Sequence, residues 1–313
     1  MDFRFTEDQL SLAETIRDYF AGTHGPEVLR RLDAQGPRDR SIWQGLAEMG
    51  LTGLCVPEEF GGLGMGLLEA ALIAAECGRA CLAEPLVDTA FVMVPWILSQ
   101  GDRERMAAIF PAVVAGETSL NAAHPINPWE LGGQGVALQS VDPLRPLTAG
   151  EASTAEPEIL NLGALMSAAQ LIGLADAMLH QATEYAKIRN QFGQPIGAFQ
   201  AIKHQLSTCA VAIEFAKPAV WRAAAAMQDG LPSAPIHVSH AKVAATDAAM
   251  LTAETAIQVH GAMGYTYEVD LHFWMKRSWA LSGAWGSRAF HLKRIDEAVL
   301  GGSHDIGPEN TFT

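Results

Sequence analysis

The sequence predicts a mainly α protein with a helical N-terminal domain, a truncated middle β segment and a C-terminal four-helix bundle. Three observations carry that expectation. Apolar residues recur at helical spacing through roughly the first 115 positions. Proline and glycine then crowd residues 118–156, and four long helical patterns fill 157–300. The expected divisions are 1–116, 117–156 and 157–300. A tail at 301–313 carries no periodic apolar pattern and reads as an extended or poorly ordered arm.

Each element has a local cause. Thr6 and Gln9 make a capping box ahead of Leu10, Leu12 and Ile16, which starts a helix near Glu7. A second helix is expected over 41–49, with Trp43, Leu46 and Met49 on one stripe. The glycine-rich stretch 57–64 has the wrong spacing for a dinucleotide fingerprint and no strand–helix–strand unit around it, so it reads as a turn. Helical patterns resume over 67–82, 86–98 and 103–114. Between 118 and 156, Pro125, Pro128, Pro143 and Pro146 leave room for two or three short strands, and 136–141 alternates apolar and polar residues. Pro157 suits a first helical position. Segments 157–189, 196–228, 236–260 and 268–300 follow, separated by short glycine- and proline-bearing breaks, and predict an antiparallel bundle. Pro218 predicts a kink in the second of these.

Bulk properties narrow the class. The 313 residues carry 21 basic and 35 acidic side chains, a formal charge of −14 that disfavours nucleic acid as a partner. Apolar residues make up 49% and charged residues 18%, a surplus that fits burial at subunit interfaces. No apolar run approaches the ~20 residues that cross a bilayer, and Asp2, Glu7 and Asp8 speak against a signal peptide, so the chain reads as cytoplasmic without a membrane span. Cys55, Cys77, Cys81 and Cys209 lack zinc spacing and read as buried thiols. His237 and His240 sit one turn apart without a third ligand, so no metal site is expected. No P-loop or nucleophile elbow is present. Trp274, Trp279 and Trp285 read as core or interface aromatics.

Two stretches point to chemistry. Glu184-Tyr185-Ala186-Lys187-Ile188-Arg189-Asn190-Gln191-Phe192-Gly193-Gln194-Pro195-Ile196, continuing through Phe199-Gln200-Ala201-Ile202-Lys203-His204, closely resembles an acyl-CoA dehydrogenase signature. Gln258-Val259-His260-Gly261-Ala262-Met263-Gly264-Tyr265-Thr266 resembles the second glycine motif of that family, with Ala262 in place of a usual glycine. The start at Phe5-Thr6-Glu7-Asp8-Gln9 and the 57–64 turn are similar to the family as well. The resemblance implies an acyl-CoA dehydrogenase-like fold, with FAD held across a dimer interface: a middle barrel grips the flavin ring while the neighbouring bundle holds pyrophosphate and adenine. It implies Arg189, Gln191, Phe192, Gln200, Gln258 and Gly261 as cofactor-binding residues. Their chemistry agrees. Arg189 offers a charged fork for phosphate oxygens. Phe192 offers a ring for stacking, Gln258 donates and accepts, and Gly261 permits close backbone approach. The same residues also admit a plainer reading, with Arg189 paired to a carboxylate, Phe192 in the core and the glycines ending helices.

Two departures from the family's pattern shape the expected function. A seven- or eight-stranded barrel needs roughly 70 residues, more than 118–156 provides. The family's reaction removes a proton α to a thioester while hydride leaves the β carbon, which requires a carboxylate beside the α carbon. Counted along the resemblance, its two known places fall on Trp285 and Gly163, and neither side chain can take a proton. The arginine that some members place beside the thioester falls on Ala164. Glu156 and Glu158 lie off those positions, and Glu268 and Asp270 read as capping charges. The resemblance therefore implies a non-catalytic subunit that shares FAD with a full-length acyl-CoA dehydrogenase in an α2β2 heterotetramer. That complex would act on a bulky, steroid side-chain acyl-CoA and pass electrons to a transfer acceptor. A self-sufficient homo-oligomer with a relocated base and a flavin-free scaffold are the alternatives.

Overall fold

The computed structural model describes residues 5–36, 38–132, 135–150, 154–304 and 307. Most of the region read as a tail lies outside them. Helix α1 (Glu7–Thr23) begins with the expected capping box: Gln9 N donates to Thr6 Oγ1 at 3.2 Å and Thr6 N donates to Gln9 Oε1 at 2.9 Å. It buries Ala13, Ile16 and Phe20. Helix α2 (Pro26–Gln35), an element beyond those expected from the sequence, opens on a proline and buries Leu29 and Leu32. Helices α3 (Arg40–Glu48) and α4 (Leu67–Arg79) follow. The helix expected over 86–98 begins instead as a π-helical stretch, Val87–Met93, before α5 (Val94–Ser99). Pro95 cannot donate to the preceding turn, and a widened turn is one way a helix absorbs that loss. Helix α6 (Arg103–Val114) closes this part.

The middle segment folds as three short antiparallel strands, β1 (Trp129–Leu131), β2 (Ala137–Leu138) and β3 (Leu147–Ala149), in the order β1-β3-β2. Trp129 lies opposite Ala149, and Ala137 opposite Thr148. Buried ions fasten this small sheet to the helices. The Arg277 guanidinium meets Asp142, and its Nη1 donates to Leu82 O at 2.6 Å. Arg145 lies 3.9 Å from Asp88. Asp142 and Arg277 are fully buried. Charges survive there only because each has an opposite partner or a carbonyl.

Bundle helices α7 (Pro157–Ile188), α8 (Gln200–Gln228) and α9 (Ala234–His260) are joined by short turns, so neighbours run antiparallel. Between α7 and α8 sits a tight hairpin, β4 (Asn190–Gln191) with β5 (Gln194–Pro195). Helix α8 runs through Pro218 without interruption. The fourth expected helix is not one helix. It breaks into α10 (Leu271–Gly283) and α11 (Arg288–Leu300), because Trp285 and Gly286 take positive φ of 56° and 105° and Ser287 caps a new start by accepting from Phe290 N at 3.3 Å.

Helix α7 packs against α9, α4, α8 and α10 and forms the core of the molecule. It also corrects the hydropathy reading. Pro157–Ile188 is long and apolar enough to cross a membrane by composition, with a window of mean hydropathy 1.5, yet 89% of that window is buried inside the protein. Its apolarity serves packing on nearly every face. All four cysteines are buried free thiols, and burial pushes Cys55 and Cys81 up to about 12.

Candidate functional site

Gly163 on α7 and Trp285 in the α10–α11 turn, far apart in sequence, meet in the structure. A Cβ built on Gly163 would lie 2.2 Å from Trp285 Cδ2 and 2.4 Å from Cε2, so the indole rests directly on bare helix backbone. Trp285 is only 4% exposed, and the adjacent Ala164 is fully buried. Polar contacts hold the turn. Trp285 N donates to Asn127 Oδ1 at 2.9 Å, and His291 Nε2 approaches Trp285 O at 3.0 Å. His291 Nδ1 faces Ser239 Oγ at 3.2 Å, while Lys242 Nζ donates to Leu281 O at the end of α10. Burial pushes the His291 imidazole down to about 4, with a backbone hydrogen bond to Trp285 opposing. Burial, aided by the Arg145 charge, brings the Lys242 amine down to about 7. Near neutral pH the histidine is therefore uncharged and donates to the carbonyl.

Other acids are occupied or distant. Asp88 and Glu130 line a cavity with Asn127, Arg145 and Trp285, but its volume of about 10 Å³ holds one water at most. Glu156 accepts from Trp96 Nε1 at 3.1 Å and Gln100 Nε2 at 2.9 Å, and Glu158 is exposed. Asp270 stands at the head of α10 yet makes no capping bond there; Arg30 holds both its oxygens at 2.7 and 2.9 Å, so an ion pair replaces the expected cap. Glu268 is exposed. His237 faces Arg222 at 3.3 Å, and no group of three metal-binding side chains occurs among the described residues. Trp274 is buried with Nε1 donating to Arg79 O at 2.8 Å, whereas Trp279 is 40% exposed.

The second set of residues gathers at the opposite kind of surface. The C-terminal ends of α7 and α9 lie together, joined by Tyr185 stacked on His260 with ring centroids 4.3 Å apart. Arg189 ends α7 and leads into the β4–β5 hairpin, whose two turn residues, Phe192 and Gly193, have φ of 53° and 83°. Positive φ at both positions is the type I′ geometry that matches strand twist. Phe192 is 93% exposed, edge-on to Phe199 at 6.2 Å. Arg189, Gln200 and Gln258 are exposed, and their side chains make no hydrogen bond or ion pair with another described residue. Gln191 donates only to the neighbouring Asn190 O, at 2.8 Å. Gly261 ends α9 with φ 60° and ψ −135°, and a Cβ there would meet nothing within 4 Å.

The plainer reading of these residues thus fails for Phe192, which is not core, and for Arg189, which has no carboxylate. It holds for Gly261 as a helix terminator. An unpaired guanidinium, free amides, a presented ring and an open glycine backbone fit a ligand with phosphate oxygens and an aromatic ring. Two helix C-termini bring partial negative charge to this end, so Arg189 is the group that makes an anion tolerable here.

Residues 6–117 match the acyl-CoA dehydrogenase N-terminal domain, and residues 154–300 match the acyl-CoA dehydrogenase C-terminal domain. The chain belongs to the acyl-CoA dehydrogenase family, whose members are FAD-dependent oxidoreductases. Acyl-CoA dehydrogenase IpdE2 of Mycobacterium tuberculosis is 30% identical, over 94% of this chain and 98% of that protein. Among solved structures, a variant of the Tcur3481-Tcur3483 steroid ACAD superposes with a TM-score of 0.84 at 24% identity, covering 96% of this chain and 99% of that one. The ChsE4-ChsE5 complex from Mycobacterium tuberculosis gives 0.82 at 21% identity, covering 98% and 100%.

The buried ion set Asp142, Arg145 and Arg277 and the buried Lys242 are not legible in the sequence. Nothing in their spacing signals that they face one another.

Proposed function

We propose that this chain is the non-catalytic, FAD-sharing subunit of an α2β2 acyl-CoA dehydrogenase, paired with a full-length subunit that carries the flavin-ring barrel and the catalytic carboxylate. One observation carries the reading: the indole of Trp285 is seated on Gly163, so both places for the base are filled by groups without a proton-accepting oxygen. Bound FAD supplies hydride acceptance from the β carbon of the acyl thioester. In this reading Arg189 binds its pyrophosphate, Phe192 and Gln258 orient its adenine side, and Gln191, Gln200 and Gly261 complete the contact. Trp285 closes this chain's own cavity, keeping both water and substrate out of it.

Support for a two-component assembly comes from Tcur3481-Tcur3483 and ChsE4-ChsE5, both named as pairs. The name of the first, a steroid ACAD, supports a bulky steroid side-chain acyl-CoA as substrate, with electrons leaving to a transfer acceptor and the complex working in the cytoplasm. Co-expression with a longer homologue and measurement of flavin per protein test this directly. The expected result is one FAD per heterodimer, a colourless chain on its own, and flavin loss from the complex on Arg189→Ala. One FAD per chain in the isolated protein, with dehydrogenase activity, would overturn it.

A further inference from the structure

Between the N-terminal helices and the bundle runs a groove of about 920 Å³, with α1 and α2 on one side and α7, α9 and the head of α10 on the other. Ala21, Pro26, Ala177, Ile188, Val269 and Trp274 make its walls largely apolar. Small-molecule sites have this size and character, an apolar cleft between packed units with one or two placed polar groups. None of Arg189, Phe192, Gln200 or Gln258 lines it, so it is separate from the surface proposed for FAD. One placed polar group is present. His260 lines the groove, is 5% exposed, and is stacked on Tyr185. Its Nδ1 lies 2.7 Å from Ala256 O, and because a carbonyl only accepts, Nδ1 carries the proton. Burial holds the imidazole below its usual range, against that backbone bond, so the ring is uncharged near neutral pH. Nε2 is then a bare acceptor. It bonds to no described residue and is not sealed in by protein.

We propose that this groove binds an uncharged apolar molecule bearing a hydroxyl, which donates its proton to His260 Nε2 in a hydrogen bond. The inference stands apart from the heteromeric reading and gives the chain a ligand of its own. An acceptor whose tautomer the backbone has fixed asks for a donor and offers an acceptor nothing. Tyr185 and Gln181, also in the wall, donate or accept alike and set no preference. Charge speaks against an anion. Arg17 is engaged by Glu76 at 3.0 and 2.8 Å and Arg79 by Asp176 at 2.7 Å, whereas Glu268 has no cation among the described residues. The C-terminal ends of α7 and α9 add partial negative charge at the same place. An ammonium finds little better, because Glu184 and Asp270 are already held by Lys187 and Arg30. What remains is apolar surface and one lone pair, which an alcohol on an apolar body matches.

The test measures binding of four probes to the full chain by calorimetry or equilibrium dialysis: 2-naphthol, 2-methoxynaphthalene, 2-naphthoate and 2-naphthylmethylammonium. The methyl ether is the more apolar of the first pair and lacks only the donor. 2-Naphthol should bind one saturable site at least about fivefold more tightly than the ether, the order of one net hydrogen bond. His260→Phe keeps a ring against Tyr185 and removes the lone pair, so it should erase that difference while leaving the ether's affinity unchanged, with circular dichroism confirming the fold. Ala21→Trp, on the exposed face of α1, narrows the groove and should weaken both probes together. Equal affinity of alcohol and ether in the wild-type chain, or a difference that survives in folded His260→Phe, overturns the proposal. So does tighter binding of naphthoate or of the ammonium, which would make the site one for ions. Displacement of 2-naphthol by ADP would place the probe at the Arg189 end instead, and absence of any saturable binding would remove the site altogether.

Discussion

The turn at Trp285 and the hairpin at Phe192 each set an aromatic residue at positive φ, 56° and 53°, and then treat it in opposite ways. Such a conformation costs about 1–3 kcal/mol for a bulky residue and persists only where the surroundings over-determine it. At Trp285 the surroundings are internal: a glycine bed, a carbonyl and an amide both engaged, and 4% exposure. At Phe192 the hairpin geometry and an edge contact with Phe199 hold the residue, and its ring is left 93% exposed beside an unpaired arginine. One aromatic is core, and the proposed function makes its place a vacated base position. The other is presented outward, where the proposed function places a cofactor contact.

The sharpest way to break this contrast is to remove each ring in turn from the isolated chain. Trp285→Ala should destabilise it by about 3–5 kcal/mol in urea unfolding, the usual cost of emptying a buried aromatic site. Equal or smaller loss than at Phe192 would mean that the indole is not packed as described.

Acid should act on two buried histidines next, His291 at the Trp285 turn and His24 at the end of α1. His24 and His291 are both held near 4 when folded, chiefly by burial, against 6.5 when free. The unfolded chain therefore binds more protons between pH 6.5 and 4, and stability falls as pH drops through that window by on the order of 3 kcal/mol per histidine. Thermal midpoints measured across it should decline steeply, and His291→Gln should flatten the decline. A flat profile in wild type would contradict the buried neutral imidazoles.

A smaller effect is expected from Gly163→Ala. Replacing a mid-helix glycine gains about 1 kcal/mol of helix propensity. The new methyl would sit 2.2 Å from the indole, and overpacking of that kind costs about 1–3 kcal/mol, so the variant should be net destabilised or near neutral. A clear gain in stability would show that the ring does not rest on the glycine.

Smallest of all, Arg189→Ala and Phe192→Ala should each change the stability of the isolated chain by less than about 0.5 kcal/mol, as surface substitutions do. Any larger loss in chemical denaturation would give these residues a role inside the fold.

Much of the architecture was legible in local sequence. The Thr6–Gln9 box, the proline start of α7 and the breaks between α7, α8 and α9 all stand where their chemistry puts them. Other features were not legible, for physical reasons. Helix α2 has too few turns to show a long period, and the break at Trp285 interrupts a pattern that is apolar on both sides. The apolarity of α7 looks like that of a membrane span because packing on many sides and burial in lipid demand the same composition.

By itself the sequence determined the helical periods, the brevity of the middle segment and the absence of a carboxylate at residues 163 and 285, since residue identity and spacing are local facts. Only the tertiary structure decided that these two residues touch, that Arg277 reaches Asp142 across 135 positions, and that Phe192 faces outward. Contact and exposure depend on how distant helices are set against one another, and no local pattern encodes that.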